Sequence, residues 1–390
     1  MKYLLTIIVL SQFFCTSVWF AGNAVMTDLV LTVGVDPGFV AHLTSAVQLG
    51  FITGTLIFAI LTIADRFSPV NVFFSSAAMA SIFNVGLCLD NNTPLLLLIY
   101  RFGTGFFLAG IYPVGMKIAS DHFKQGLGKS LGFLVGALVL GTALPHLIRF
   151  IQFGLPWKTV IVYTSVFCLT GGLLMKWLIK DGPYRKPLSE FQWRSFMSGF
   201  KNPKFKVAAF GYFGHMWELY AFWAFIPVIL SFQTQQWDVQ YTQYISLWSF
   251  FIIGIGSVSC VIGGILSTKF GEFRTAFAAL SLSALCCLVS PVLLHYPFQP
   301  VMLLFYLFWG SVVIADSPLF SSQVARFAIE ESRGTSLTIV NCIGFAITII
   351  SIQLLQLLSD YVPQSILFLF LLPGPGLGLY YMWKRKDLMC

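Results

Sequence analysis

Charged side chains are scarce in this sequence. Only 10% of its 390 residues are Asp, Glu, Lys or Arg, against about 25% in soluble domains. That deficit excludes an ordinary water-soluble globule, which could not cover its surface with polar groups. Histidine is rare too: His42, His122, His146, His215 and His295 fall in separate segments without ligand spacing, so no histidine metal centre is encoded. The eight cysteines include no Cys-x-x-Cys pair, and most lie in apolar runs. They read as small packing residues, not as a disulfide framework or zinc site. No Gly-x-x-x-x-Gly-Lys occurs, which argues against an ATP-driven pump. No metal or cofactor is expected, and a membrane-embedded enzyme is disfavoured.

What is abundant is hydrophobic side chains, at 57%. A helix needs about 20 apolar residues to cross hydrocarbon. Twelve such runs lie near 3–27, 38–63, 70–89, 94–117, 127–150, 157–178, 206–231, 242–266, 275–294, 299–324, 335–358 and 362–383. They predict an all-α membrane protein. The run from Tyr3 to about Val25 is longer than a signal-peptide core and is followed by further spans, so it reads as the first transmembrane helix.

The formal charge of +8 would suggest nucleic acid in a soluble protein, but its placement matters more here. With both termini inside, 20 of the 23 Lys and Arg fall on cytoplasmic segments and helix ends, Arg149 and Lys158 fall outside, and Arg101 falls within a span. This is the positive-inside asymmetry, and it supports an even number of spans. The expected location is a bacterial-type inner membrane with cytoplasmic termini, and nucleic acid is not expected as a partner. The longest polar stretch, Asp181 to Lys206, divides the chain into an N-terminal six-helix bundle (1–180), a cytoplasmic linker (181–205) and a C-terminal six-helix bundle (206–390).

The halves look related. Ala64-Asp65-Arg66-Phe67-Ser68 and Ser267-Thr268-Lys269-Phe270-Gly271 occupy corresponding turns, and Pro113 and Pro318 precede Gly128-Lys129-Ser130-Leu131 and Gly334-Thr335-Ser336-Leu337 by fifteen and sixteen residues. Six-helix halves with repeat symmetry are a signature of secondary transporters.

Across essentially its whole length the chain resembles the major facilitator superfamily. Asp65-Arg66-Phe67 matches part of that family's loop between helices two and three. Leu61, Ser68 and Pro69-Val70 depart from it. Arg101 and Gly105 match the helix-four pattern, and Gly132, Gly136 and Gly141 the glycine-rich fifth helix. Pro145 is isolated where the antiporter signature has Gly-Pro, which lowers the expectation of a drug–proton antiporter. The stretch from His215 to Trp223 is similar to helix seven of the bacterial nitrate/cyanate-like branch. The fifth-helix Gly-Asn signature and the helix-two and helix-eight arginines of nitrate carriers are absent, which speaks against nitrate. The resemblance implies two pseudo-symmetric bundles rocking about a central site. It also implies a conformational latch at Asp65 and Arg66, with Lys269 at the related turn, weakened by the missing basic pair.

Ionisable residues at bilayer depth are costly and point to a site. Arg101 lies 11 residues past Asp90, Glu218 12 past Lys206, and Asp316 10 before Arg326, so each sits roughly 15–18 Å inside. His215 is three residues from Glu218, on one helical face. Arg101 reads either as an anion or proton-coupling group or as a structural ion pair. Glu218 reads as a proton-exchanging carboxyl, a partner of Arg101 or a helix link. Asp316 reads as a coupling group or a second ion pair, and His215 as a site or packing residue. Trp19, Asn23, Tyr112, Trp217, Tyr220, Trp223 and Asn341 are candidate cavity liners. The expected function is secondary transport of a small anionic or zwitterionic solute by alternating access, with proton symport, by a monomer. Proton-coupled efflux is the alternative, and a non-transporting receptor is the competing class.

Overall fold

The computed structural model describes residues 3–36, 38–123, 127–152, 154–185, 197, 199–237, 244–295, 299–330 and 333–388. Lys124, Lys186 and the centre of the 181–205 linker lie outside the described residues. The described residues form helices and connecting turns, with no strand. We number the twelve membrane helices α1 to α12. Among the first seven spans, five are continuous: α2 (Phe39–Ile60), α3 (Pro69–Gly86), α5 (Leu127–Ile151), α6 (Lys158–Leu178) and α7 (Pro203–Trp237). α8 (Ile245–Phe270), α9 (Glu272–His295) and α11 (Arg333–Ser359) are continuous as well.

Four spans are interrupted. α1 comes in pieces at Leu4–Thr16, Ala21–Ala24 and Met26–Val33. α4 consists of Pro94–Leu108 and Tyr112–His122, and α10 of Gln299–Ala315 and Ser317–Phe327. α12 runs through Gln364–Leu367, a 3-10 turn at Phe368–Leu371 and Pro373–Lys384. In α4, α10 and α12 the breaks precede Pro113, Pro318 and Pro373. A proline removes one N–H and crowds the carbonyl four residues back. α1 has no proline at its break, and side chains from a neighbouring helix compensate it, as described below. Ten helices among the described residues are long and apolar enough to cross a bilayer. The broken α1 and the 18-residue α3 complete the twelve.

The chain divides into two compact units, Met1–Glu190 and Phe191–Cys390. In unit 1, α2 packs closely on α4. A Cβ at Gly105 would meet the Val47 carbonyl and lie 3.0 Å from Phe51 N. In unit 2, α8 packs on α10 in the same manner, with Gly310 against the Ile252 carbonyl. Gly105 and Gly310 each stand eight residues before Pro113 and Pro318, and each lies 58 residues after the carbonyl it faces. The two units thus repeat this helix pair residue for residue. Small residues let backbones approach and gain van der Waals contact where lipid gives no hydrophobic drive.

α7 is the most enclosed helix, with 78% of its apolar window inside the protein. Phe210 stacks on Tyr381 of α12, while Tyr212 and Met216 meet Gly344 of α11. Gly211 faces Phe320 of α10. This enclosure places most of α7 against protein and buries the side chains of its centre.

Candidate solute and coupling sites in each unit

Arg101 in unit 1 is completely buried. It donates from Nη1 to the Val18 carbonyl at 3.0 Å and to Asn84 Oδ1 at 3.3 Å, and from Nη2 to the Trp19 carbonyl. Val18 and Trp19 follow the end of the first piece of α1. The guanidinium therefore satisfies carbonyls that the break leaves without intrahelical donors, at the negative end of a helix dipole. No described carboxylate of unit 1 lies within ion-pair distance of it. The ion pair considered for Arg101 is replaced by this cap. Its Nε has no hydrogen-bond partner and lies against Gly22, where a Cβ would sit 3.4 Å away.

Asn84 extends the network. Its Nδ2 donates to Ser165 Oγ at 2.9 Å, Thr164 Oγ1 at 3.1 Å and the Ile161 carbonyl at 3.3 Å, which ties α3 and α6 to Arg101. The sequence showed a polar residue in that span, but nothing there revealed its partners. Asn23 donates to Thr44 Oγ1 at 2.8 Å, and the Trp19 ring lies 4.9 Å from Phe51. Gln48 stands one turn from both Thr44 and Phe51, so it faces α1 between those contacts. It is fully buried, and neither amide atom has a partner among the described residues. Tyr112 opens the second piece of α4 and is half-buried.

In unit 2, α7 and α10 run antiparallel with a clear register. Phe222 and Glu218 meet Trp309, His215 meets Asp316, and Gly211 meets Phe320. Glu218 and Asp316 are each 1% exposed. Glu218 Oε1 accepts from Ser283 Oγ at 2.5 Å, Trp309 Nε1 at 2.6 Å and Cys287 Sγ at 3.4 Å. Ser283 and Cys287 are one turn apart on α9, so the carboxyl joins α7, α9 and α10. His215 Nδ1 lies 2.8 Å from Asp316 Oδ1 without the alignment of a directed hydrogen bond. The contact is one of charge when the imidazole is protonated. Asp316 stands at the break of α10, where its backbone carbonyl accepts from the N–H groups of Leu319 and Phe320. Its carboxylate makes no capping bond to the following helix and lies beside His215.

The structure separates the remaining candidates. Tyr220 and Trp223 are buried, and Tyr220 lies 5.2 Å from Phe345 of α11. Asn341 is half-buried on α11, three and four residues before Gly344 and Phe345. Trp217 points elsewhere: it donates to the Phe370 carbonyl at 3.3 Å and covers Gly374. It packs α7 on α12 and leaves the Glu218 face.

At the turn between α2 and α3, Asp65 pairs with Lys117 of α4 at 2.9 Å, and Arg185 donates to the carbonyls of Asp65 and Phe67. Arg66 Nε donates to Thr62 Oγ1 at 3.1 Å. At the corresponding turn of unit 2, Glu272 pairs with Arg326 of α10 at 2.9 Å, while the Lys269 ammonium lies 5.3 Å from the Phe270 ring centre. The acid in each turn thus binds a base on the span after next. Lys117, Arg185, Glu272 and Arg326 are additions that the motif did not indicate.

These features define an all-α membrane transport protein. The family model of the Major Facilitator Superfamily matches residues 8–352. The chain belongs to the Major Facilitator Superfamily, and it is a transporter rather than an enzyme. No curated protein matches it in sequence. Among solved structures it is similar to a bacterial homolog of the human lysosomal transporter Spinster, captured inward-facing and unoccupied. That match has a TM-score of 0.71 and 13% identity, covering 100% of this chain and 95% of the other. It is similar to the human organic anion transporter MFSD10, with a TM-score of 0.72, 14% identity and coverage of 98% and 99%. A mutant of the nucleoside transporter NupG gives a TM-score of 0.72 at 11% identity, with coverage of 99% and 100%.

Proposed function

We propose that the protein moves a small anionic or zwitterionic solute across a bacterial-type inner membrane by alternating access and proton symport, with both termini cytoplasmic. The similar proteins differ in cargo, an organic anion transporter in one case and a nucleoside transporter in another, so the choice of solute rests on this chain's own side chains. The observation that carries the coupling is in unit 2, where two carboxyls and one imidazole are buried along the α7–α10 contact. Buried ionisable groups of this kind are costly unless they exchange protons or meet charge. Glu218 is the proton-exchanging group in this reading, and His215 and Asp316 respond to its charge. Arg101 supports the anionic half of the cargo, because it is a buried cation held by carbonyls and one amide oxygen and by no carboxylate of its unit.

The test is uptake into proteoliposomes over a panel of carboxylates, amino acids and neutral polyols, with and without an imposed pH gradient. An inward proton gradient is expected to drive accumulation of an anion or zwitterion. Glu218→Gln is expected to abolish the gradient-driven part while keeping solute exchange. Unchanged gradient-driven uptake in Glu218→Gln would refute the coupling assignment, and outward movement against the gradient would replace symport with efflux.

A further inference from the structure

A second site lies apart from the buried charges, where α8 turns into α9. Gly271, at φ +88°, makes that connection a single residue. The turn and the end of α10 line an open-sided cavity of about 300 Å³, bordered by Glu272, Arg274, Gln323, Arg326, Phe273 and Phe327 among others. Its polar groups are incompletely matched. Glu272 Oε1 accepts from Ser322 Oγ and from Arg326, both at 2.9 Å, while Oε2 is buried without a partner. Gln323 is 1% exposed, and both atoms of its amide lack partners. No described carboxylate lies within ion-pair distance of Arg274.

Buried polar atoms without partners are rare and ask for an explanation. The buried atoms need a particular complement: hydroxyl hydrogens for Glu272 Oε2 and Gln323 Oε1 and an acceptor for Gln323 Nε2; the exposed Arg274 at the rim adds a contact for an anionic oxygen. A phosphate ester of a polyol supplies all of these. Its phosphate oxygens accept from the guanidinium and the amide, and its hydroxyls donate to the carboxylate and the amide oxygen. Phe273 and Phe327 offer rings to the carbon skeleton. The volume suits a headgroup and is too small for a whole lipid. Basic pockets at the ends of membrane helices are a recurrent setting for such headgroups.

We propose that this cavity binds a polyol phosphate, either as the headgroup of an anionic phospholipid or as the free ester. The test uses the full chain in nanodiscs of phosphatidylglycerol or of phosphatidylcholine with the same acyl chains, and in detergent with or without glycerol phosphate. Unfolding temperature is read in each, for the wild type, Arg274→Gln and Gln323→Leu. A bound ligand at about ten times its Kd is expected to raise that temperature by roughly 3–6 °C. Both variants are expected to lose most of the rise. Gln323→Leu, which replaces an unpaired amide by an apolar group of similar shape, is expected to melt no lower than wild type in phosphatidylcholine. A rise in phosphatidylglycerol alone assigns the site to lipid, and a rise with glycerol phosphate in detergent assigns it to the soluble ester. No rise in either, or a rise that both variants keep, would overturn the proposal.

Discussion

Replacing Arg101 by methionine removes the guanidinium but keeps a long, flexible apolar side chain. Three acceptors then lose their donor: the Val18 and Trp19 carbonyls and Asn84 Oδ1. All three belong to the buried interior around the break of α1, and Asn84 itself is 0% exposed. Leaving a buried acceptor unmet costs about 1–3 kcal/mol each, so the gross loss is on the order of 3–9 kcal/mol. Methionine also removes the burden of burying a charge, which offsets several kcal/mol. A net destabilisation of about 2–4 kcal/mol is therefore expected, or roughly 4–16 °C for a unit of this size. Arg101→Lys keeps the charge but has no planar fork with which to bridge three acceptors, so it should fall between wild type and methionine. The assay is thermal unfolding of the purified full chain in one detergent, followed by tryptophan fluorescence, for which Trp19 beside the break is a reporter. A methionine variant that melts within about 2 °C of wild type would refute the cap. A lysine variant that melts as low as methionine would show that the bonds, and not the charge, hold the break.

Other consequences concern single contacts. Gly105→Val forces a side chain into the Val47 carbonyl and should cost at least about 1–3 kcal/mol; a monodisperse, wild-type-like elution profile on gel filtration would contradict the α2–α4 packing. Trp309→Phe removes the 2.6 Å donor to Glu218, and a double-mutant cycle with Glu218→Gln should give a coupling of about 1–2 kcal/mol, against zero if the bond is absent. Asp90→Asn should leave the melting temperature within about 1 °C, because its pair with Lys158 is exposed and screened. The Lys158 ammonium at 2.6 Å holds the Asp90 carboxyl below its ordinary range. Whatever the pair adds is present above the unfolded pKa and lost as pH falls through the folded one, so wild type and variant should converge in acid.

The sequence made the membrane helices legible because lipid imposes its demand on every turn of a span, and a run of twenty apolar residues is a local signal. The break of α10 is legible from Pro318, and that of α4 is open to the same reading from Pro113. The break of α1 is not, since it depends on a guanidinium from α4, far away in sequence. The site was legible as a set of residues and much less so as a set of pairs. His215 was grouped with Glu218 because they share a helical face, yet its charge partner is Asp316 across the α7–α10 contact. Trp217 is next to Glu218 in sequence, but their side chains do not share a face. Successive helical residues point about 100° apart, and that rotation carries Trp217 to α12.

Aligned on the prolines, the two units share a packing glycine and a helix break, but the chemistry placed on them differs. In unit 1 the break of α1 exposes carbonyls at a negative helix end, and a cation from α4 fills it. In unit 2 the break of α10 places Asp316 beside a positive helix end, with His215 as its neighbour. Arg101 thus bonds a helix end of opposite sign, while the Asp316 carboxylate makes no capping bond and meets His215 instead. The carboxyl bound by neutral donors is Glu218, whose contacts with Ser283, Trp309 and Cys287 contain no cation. Neutral donors favour the ionised form less strongly than a fixed positive charge would. That contrast is why Glu218, and not Arg101 or Asp316, is the group proposed to carry the proton.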